Sequence, residues 1–467
     1  MNFSLVFVQT ASYIGSNHKK ACSFDTGHPM YKAKDRHTKP IFEELFPFGG
    51  KLDAKNRWLK IGELIPWDQL ENSYSKHFSS TGRPAHDARL VIGLLLLKHM
   101  TNTSDREIVQ LMCENPYMLA FCGLDNFNAV KLIDPSTLTN VRKRIGAKQF
   151  KELEELTYKS LIERKILKAK GLLIDATVFP ANIHFPTDAG LLNEARQWLV
   201  DMIKSLGGNI GLTYRTYLRK ARREYLLFSK RKQKSSKDVR RIVKSMLQFV
   251  RRNVLQFEEV LKISAEKGVV VGKRVQDRLS VIKILLEQQW QMYREGTHRI
   301  AGRIVSIHLP QVRPIKRGKA GKDVEFGPKG SLSHVGRFTF LDRLSSDNFN
   351  ETGDVGLQLA NYADRFGAKP PYVVGDRIYG TLANRDLLKI KGIRDAFEPR
   401  GRRPKDQLPD RWRKRKRRER NRIEGAIGHG KNHFDLDRIL YSIEGGDELW
   451  IRLGLMASNL KTAARMA

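Results

Sequence analysis

The amino-acid sequence predicts an all-α N-terminal region followed by an α/β layer that a long helical insertion interrupts. Three observations carry this expectation. Apolar residues recur at helical spacing from Ile61 to Leu156. A short apolar run rich in β-branched residues, GLLIDATVF, begins at Gly171 and reads as a buried strand. Charged helical patterning returns from Gly190 to about Arg299, after which strand-like segments alternate with helices, the pattern of a sheet with helical crossovers.

Residues 1 to 29 differ in character from the rest of the chain, and Met30 opens a more ordinary start; this stretch is expected to be an extension from a mis-assigned upstream start. Its apolar run has no basic segment before it, so it does not read as a signal peptide. Within the helical region, assigned to residues 30 to 165, helices are expected over Asp87 to Met100 and Thr103 to Met112, the second capped by Thr103 or Ser104. A third is expected from Ser136, after Asp134-Pro135. The last two have the spacing of a helix-turn-helix unit whose second helix ends in Arg142, Lys143 and Arg144, a basic edge for the major groove. A packing or dimerisation module with a solvated basic edge would have the same pattern.

The α/β part is assigned to residues 166 to 445, with the insertion at about 190 to 300, and a closing helix to 446 to 467. Beyond the first strand, strands are expected at Arg303 to His308, Val324 to His334, Arg337 to Leu344, Pro371 to Gly375 and Arg394 to Glu398. Helices are expected at Val355 to Phe366, Leu382 to Lys389 and Arg418 to Asn432. The insertion is richest in Lys and Arg between Tyr214 and Lys237; these could clamp DNA, contact a second subunit or coat a solvated hairpin.

Composition narrows the partner. The chain has 467 residues, 85 Lys+Arg against 50 Asp+Glu, and a net charge of +35. Such an excess points to a polyanion. The longest apolar run, Leu90 to Leu97, is broken by Gly93 and too short to span a bilayer, so nucleic acid is preferred over a membrane. Cys22, Cys113 and Cys122 form neither a disulfide framework nor a CxxC pair, which fits a reducing cytoplasm.

The chemistry is expected at three carboxylates. Asp175 interrupts an apolar strand, where an ionised group costs several kcal/mol unless compensated, roughly. Asp376 follows the run PPYVVG, at a strand end before a helix that Thr381 could cap. Each alone could equally be a cap, a turn residue or an arginine's partner. Arg420, Glu424 and Lys431 fall within roughly 40° of one another on a helix, so one face carries an acid flanked by two bases. Three carboxylates in this order, in so basic a chain, are best explained by hard divalent cations, magnesium with manganese as substitute, serving in-line phosphoryl transfer. Other chemistries have less support. His429 and His433 are four apart without an HExxH pattern, Gly428 and Gly430 lack a Walker context, and there is no GxSxG elbow.

These segments resemble the DDE transposases of bacterial insertion sequences, specifically the insertion-sequence-five-like family, over nearly everything from Met30 onward. GRPAHDARLVIGLLLLKHMTNTSDREIVQLMCENPYMLAFCG is similar to that family's N-terminal helical domain, LLIDATVFPANIHFPTDAGLLNEAR to its first-aspartate segment, and VVGDRIYGTLANRD to its second. RNRIEGAIGHGKNHFDLDR resembles the glutamate signature, and GLMASNLKTAAR the closing helix. The resemblance implies a ribonuclease H-like fold with the first Asp on the first strand, the second just after the fourth, and the Glu on a late helix. It implies Asp175, Asp376 and Glu424 as metal ligands, with Arg420 and Lys431 as basic companions. Where the family often has Tyr, three residues before the arginine, this chain has Arg417, which adds charge and removes an aromatic surface for DNA.

The implied activity is metal-dependent cleavage at transposon ends followed by 3′-OH strand transfer into target DNA. Its partners would be double-stranded terminal inverted repeats and target, with a homodimer assembled on DNA in the bacterial cytoplasm at the nucleoid. A ribonuclease H-like nuclease that cuts without joining, and a catalytically silent transposase-derived DNA-binding protein, are the rivals.

Overall fold

A computed structural model describes residues 47–78, 84–127, 133–319, 322–398 and 411–467. The 1 to 29 extension, with Cys22, and Met30 lie outside the described residues.

Six helices come first: α1 (Arg57–Leu64), α2 (Trp67–Ser75), α3 (Ala88–Thr101), α4 (Asp105–Glu114), α5 (Pro116–Phe121) and α6 (Pro135–Glu163). Their starts are set by short polar caps that satisfy otherwise unpaired amides. Asp87 accepts from the Arg89 and Leu90 amides, Ser104 and Glu107 form a capping box on α4, and Asp134 precedes Pro135 at the first position of α6. Gly146, at positive φ (63°), kinks α6 just after its basic first part.

The α/β part runs β1 (Leu172–Val178), α7 (Asp188–Asn209), α8 (Leu218–Ser229), α9 (Ser236–Glu266), α10 (Lys273–Glu295), β2 (Pro314–Lys319), β3 (Lys322–Phe326), β4 (Lys329–Val335), β5 (Phe338–Ser345), α11 (Val355–Phe366), β6 (Tyr372–Val374), α12 (Leu382–Ile390), β7 (Arg394–Asp395), α13 (Arg411–Arg418), α14 (Asn421–His433) and α15 (Gly446–Ala463). Five strands make a mixed sheet in the order β5-β4-β1-β6-β7. Central β1 pairs antiparallel with β4, placing Asp175 opposite Leu332, and parallel with β6. The remaining strands, β2 and β3, form a separate hairpin.

Side chains of a strand alternate between faces, and β1 obeys that rule. Leu172 and Ile174 join the core that contains the N-terminal helices, whereas Leu173 packs with Ile423 of α14 and Trp450, Ile451 and Leu455 of α15. Asp175, two residues beyond Leu173, therefore belongs to the α14 face. Helix α15 contributes to both cores, which explains why it is apolar nearly all round. Charged pairs tie the N-terminal helices to the rest. Arg452 meets Glu154 at 2.8 Å with both side chains almost fully buried, and Arg365 meets Glu155 at 2.7 Å. Removing one partner of a buried pair such as Arg452–Glu154 typically costs about 3–5 kcal/mol.

The insertion is neither a simple hairpin nor all surface. Helices α7 to α10 enclose a core of their own that includes Leu199, Val250, Phe257 and Ile282. That core also accounts for an expectation that fails, the strand at Arg303 to His308. Ile304 and Ile307 are buried in the insertion, the Ile304 amide donates to Gln288 Oε1 at 2.9 Å, and Ser306 Oγ accepts from the His308 and Leu309 amides. With its backbone satisfied locally, the segment joins no ladder. Expected strand 324 to 334 is two strands, because Gly327 turns the chain where a Cβ would come within 2.0 Å of Phe179 O. The expected helix 418 to 432 is α14, which starts three residues later, after a separate helix α13 that ends at Arg418, and the strand expected at 394 to 398 is only the two-residue β7.

Asp342 on β5 accepts from Asn361 of α11 at 3.0 Å, while its Oδ2 is buried without a hydrogen-bond partner. Burial pushes its carboxyl up to about 6. A carboxyl raised in the folded state favours folding when protonated, so its contribution is fully present below about pH 4 and is lost as pH rises through about 6. Asp342→Asn should therefore stabilise the protein at pH 7.5 by about 1–3 kcal/mol. Thermal unfolding of the pair across pH should show the difference vanishing near pH 4; a gain independent of pH would refute this origin.

Candidate active site

The first carboxylate lies in the middle of the sheet. Its strand is apolar because both faces are covered, so the Asp175 side chain is largely shielded, and burial raises its pKa. The Ala176 amide, which donates to Oδ1 at 2.8 Å, and the Arg420 guanidinium oppose that rise; the negative charges of Glu424 and Asp376 add to it. All three predicted carboxylates thus act on one another electrostatically although they come from three separate elements.

Asp376 follows β6, the fourth strand of the main sheet. It caps the turn Arg377–Tyr379, accepting from the Arg377 amide at 2.5 Å. Its place depends on Gly375: a Cβ there would lie 2.8 Å from Ile174 Cγ1 and 3.0 Å from the rings of Phe397 and Tyr379. Only glycine lets the end of β6 come this close to β1. Thr381 caps α12 by accepting from the Asn384 amide, so strand, aspartate turn and helix succeed one another without slack.

Glu424 occupies the first turn of α14, where a carboxylate also meets the positive end of the helix dipole. The junction residue Arg420 joins the two exposed carboxylates. Its guanidinium is 3.2 Å from Asp376 Oδ1 and 2.6 Å from Glu424 Oε1. Lys431, at the other end of α14, donates to Thr177 Oγ1 at 3.1 Å and to Val178 O at 2.7 Å. Thr177 lies on the same strand face as Asp175, so Lys431 fastens α14 along the end of β1. Sequence reasoning missed this partnership, although Thr177 stands two residues from Asp175, the spacing of one strand face.

The other predicted DNA contacts separate. Lys143 and Arg144 are exposed, the latter over the Phe78 ring at 4.6 Å. Arg142 is corrected: it is buried, paired with Asp105 at 2.5 Å and stacked over Tyr441 at 4.2 Å. A guanidinium whose charge is already matched inside the protein is not available to phosphate. Arg417 lies in α13, its Nε 3.5 Å from Arg413 O. Arg413, on the same helix, binds Asp395 of β7 through both the carboxylate at 3.0 Å and the carbonyl at 3.2 Å. With Glu419 accepting from Tyr372 Oη and Lys416 at 2.8 Å each, it pins α13 to the sheet edge.

Donor chemistry at the site suits a hard divalent cation, since carboxylate oxygens are the preferred ligands and burial leaves Asp175 wanting a compensating positive charge. Arg420 supplies that charge in this arrangement. Among the described residues no three His, Cys, Asp or Glu side chains are already grouped as ligands of one metal ion, and this includes His429 and His433, whose rings lie 4.8 Å apart. No described helix is long and apolar enough to cross a membrane.

Two parts of the chain match known transposase families. Residues 46–144 match the family described as Transposase domain (DUF772), and residues 373–457, which contain Asp376 and Glu424, match the Transposase DDE domain. Uncharacterized protein ORF8 in nfe locus of Rhizobium meliloti is 33% identical over 181 residues, 37% of this chain and 87% of that protein. No solved structure matches the chain. The order of the carboxylates, the DDE-domain match around two of them and the transposase-domain match over the leading helices together lead to one assignment: the chain belongs to the DDE transposases of insertion sequences.

Proposed function

We propose that the protein hydrolyses a phosphodiester at each end of an insertion-sequence-five-like element to leave a 3′-OH, and then joins that hydroxyl to a target strand. The observation that carries this is Arg420 held between Asp376 and Glu424, beside the shielded Asp175. Three acids converging on a basic residue from a central strand, a strand end and a helix form a site for phosphate and for divalent ions.

In this mechanism Asp175, Asp376 and Glu424 would hold magnesium, or manganese in its place. When bound, the metal lowers the barrier to in-line displacement by activating the attacking oxygen and stabilising the leaving one. The chain's residues do the rest. Asp175 is rigidly positioned by the sheet, Gly375 sets the approach of Asp376, and Lys431 acts as a positioning residue that keeps α14, and so Glu424, against β1. Arg420 exchanges its carboxylate partners for a phosphate beside the scissile bond. This exchange releases two of the three carboxylates only when DNA is present.

Residues 30 to 165 read the terminal inverted repeat, with Lys143 and Arg144 as the exposed basic edge, and Arg417 faces the backbone near the catalytic helix. The catalytic region comprises residues 166 to 445, with 446 to 467 as its closing helix. Two copies assemble on DNA, since two ends must reach one target, and the work is done at the bacterial nucleoid.

Asp175→Asn, Asp376→Asn and Glu424→Gln should each lower single-turnover cleavage of a terminal-repeat duplex by at least about a thousandfold, the loss expected for a residue in a two-metal site, while gel-shift affinity stays within about threefold, less than about 0.7 kcal/mol. A variant that still cuts at a tenth of the parental rate would remove that residue from the site. Product analysis on a supercoiled target decides between joining and cutting alone.

Arg420→Ala should act in two opposite directions. Freed of its guanidinium, the acidic cluster should bind Mn2+ more tightly in calorimetry without DNA, by about tenfold or 1.4 kcal/mol. Cleavage at saturating DNA should nonetheless fall, because a phosphate contact strengthened in the transition state is gone. Unchanged Mn2+ affinity would mean that Arg420 does not compete with the metal.

A further inference from the structure

A long stretch of positive charge lies away from the carboxylates, on the insertion. Between Tyr214 and Arg252 the chain has fifteen lysines and arginines against only Glu224 and Asp238, a net of +13. All fifteen are exposed. Neither acid is free to neutralise the rest, for Glu224 accepts from Ser245 at 2.5 Å, and Asp238 accepts from Ser235 and is paired with Arg231 and Arg241.

Helix α9 arranges part of this charge in a line. At about 100° per residue, Lys237, Arg241, Lys244, Arg251 and Arg252 fall within an arc of roughly 100°. Ile242, Met246, Val250 and Phe257 occupy the opposite face and are buried in the insertion core, so the line cannot turn inward. From Lys237 to Arg252 it extends about 22 Å at 1.5 Å per residue. At its end the Tyr217 ring stands between two guanidinium groups, Arg252 at 4.5 Å and Arg215 at 4.7 Å, which fixes like charges near one another. Like charges three and four residues apart on a helix repel, and an outside anion would relieve the repulsion.

We infer that the exposed face of α9, with the neighbouring cations of α8, is a second DNA-binding surface that tracks the phosphate backbone without reading sequence. A straight cationic line fits a rigid polyanion with a charge about every 1.7 Å of its axis better than it fits an acidic protein, whose charges are irregular. The line itself has no apolar residue before Leu255. The insertion starts at Asp188, soon after β1, and Tyr225 of α8 shares a cavity wall with His184 and Phe185 of the connecting segment and with Arg438. The same duplex that enters the site, or its flank, would therefore be gripped at a distance from the reacting bond. The inference rests on the proposed action on DNA but not on the carboxylate chemistry.

The test uses the full-length chain without divalent ions, so that failure of the metal mechanism cannot affect it. Binding to a long random-sequence duplex is measured against salt for the parent and for Lys237→Gln/Lys244→Gln/Arg251→Gln, three exposed positions on the line. Each lost phosphate contact should reduce the slope of log K against log salt by about 0.9, or about 2.7 for the triple variant. Lys244→Gln alone should reduce it by about 0.9, with thermal unfolding unchanged in both. An unchanged slope overturns the inference. Two accompanying measurements then say what the surface is instead: loss of self-association in sedimentation would make it a subunit contact, and loss of binding to phosphatidylglycerol vesicles would make it a membrane contact, with exposed Leu226 and Leu227 of α8 as the apolar part.

Discussion

A carboxylate in the central strand of a covered sheet is the constraint on which the rest of the site depends. Asp175 cannot move to water, since β1 is held by β4 on one side and β6 on the other. Its charge must be matched where it stands. The chain does so by bringing α14 across that face of the sheet, with Arg420 at the helix start and Lys431 at its far end. Arg420 is shared with Asp376 and Glu424, so one guanidinium sets the spacing of two acids and compensates a third. That arrangement is a salt-bridged cluster, and in the proposed reaction a phosphate would offer the guanidinium an alternative partner.

Holding α14 in place requires more than its own contacts. Ile423 packs into the core beneath the helix, and α15 lies against both that core and the N-terminal helices. Buried pairs such as Glu154–Arg452 make α6 and α15 one unit. The leading helices are therefore part of the support of the sheet that holds Asp175. Arg142 illustrates the division: it and Lys143 are adjacent in a basic stretch, yet the helix turns Arg142 toward Asp105 and Tyr441 and leaves Lys143 exposed.

The insertion solves a different problem. A sequence as basic as residues 214 to 252 could not fold on charge alone, and α7 to α10 supply it with an independent apolar core. This keeps repelling side chains on a firm surface instead of a mobile loop. It also makes the insertion self-sufficient in packing, which explains why it can interrupt the sheet after β1 without disturbing the pairing of β1 with β4 and β6.

Much of this was legible in the residues. The apolar run around Asp175, the strand end before Asp376, the caps at Ser104, Asp134 and Thr381, and the helical spacing of Arg420, Glu424 and Lys431 are local patterns, and local patterns depend on periodicity and capping chemistry within a few residues of one another. The failures share the opposite cause. The apolar character of 303 to 308 could mean a strand or a buried linker, and only the insertion core, with Gln288 and Ser306 satisfying the backbone, makes it the latter. Whether a basic side chain faces solvent, an acid or the end of β1 depends on what folds against it, as Arg142, Arg413 and Lys431 show. By itself the sequence determined which residues could be helix, strand or cap and where an acid interrupts an apolar run; the tertiary structure decided which charges meet, because charge pairing is set by distance in space and not by distance along the chain.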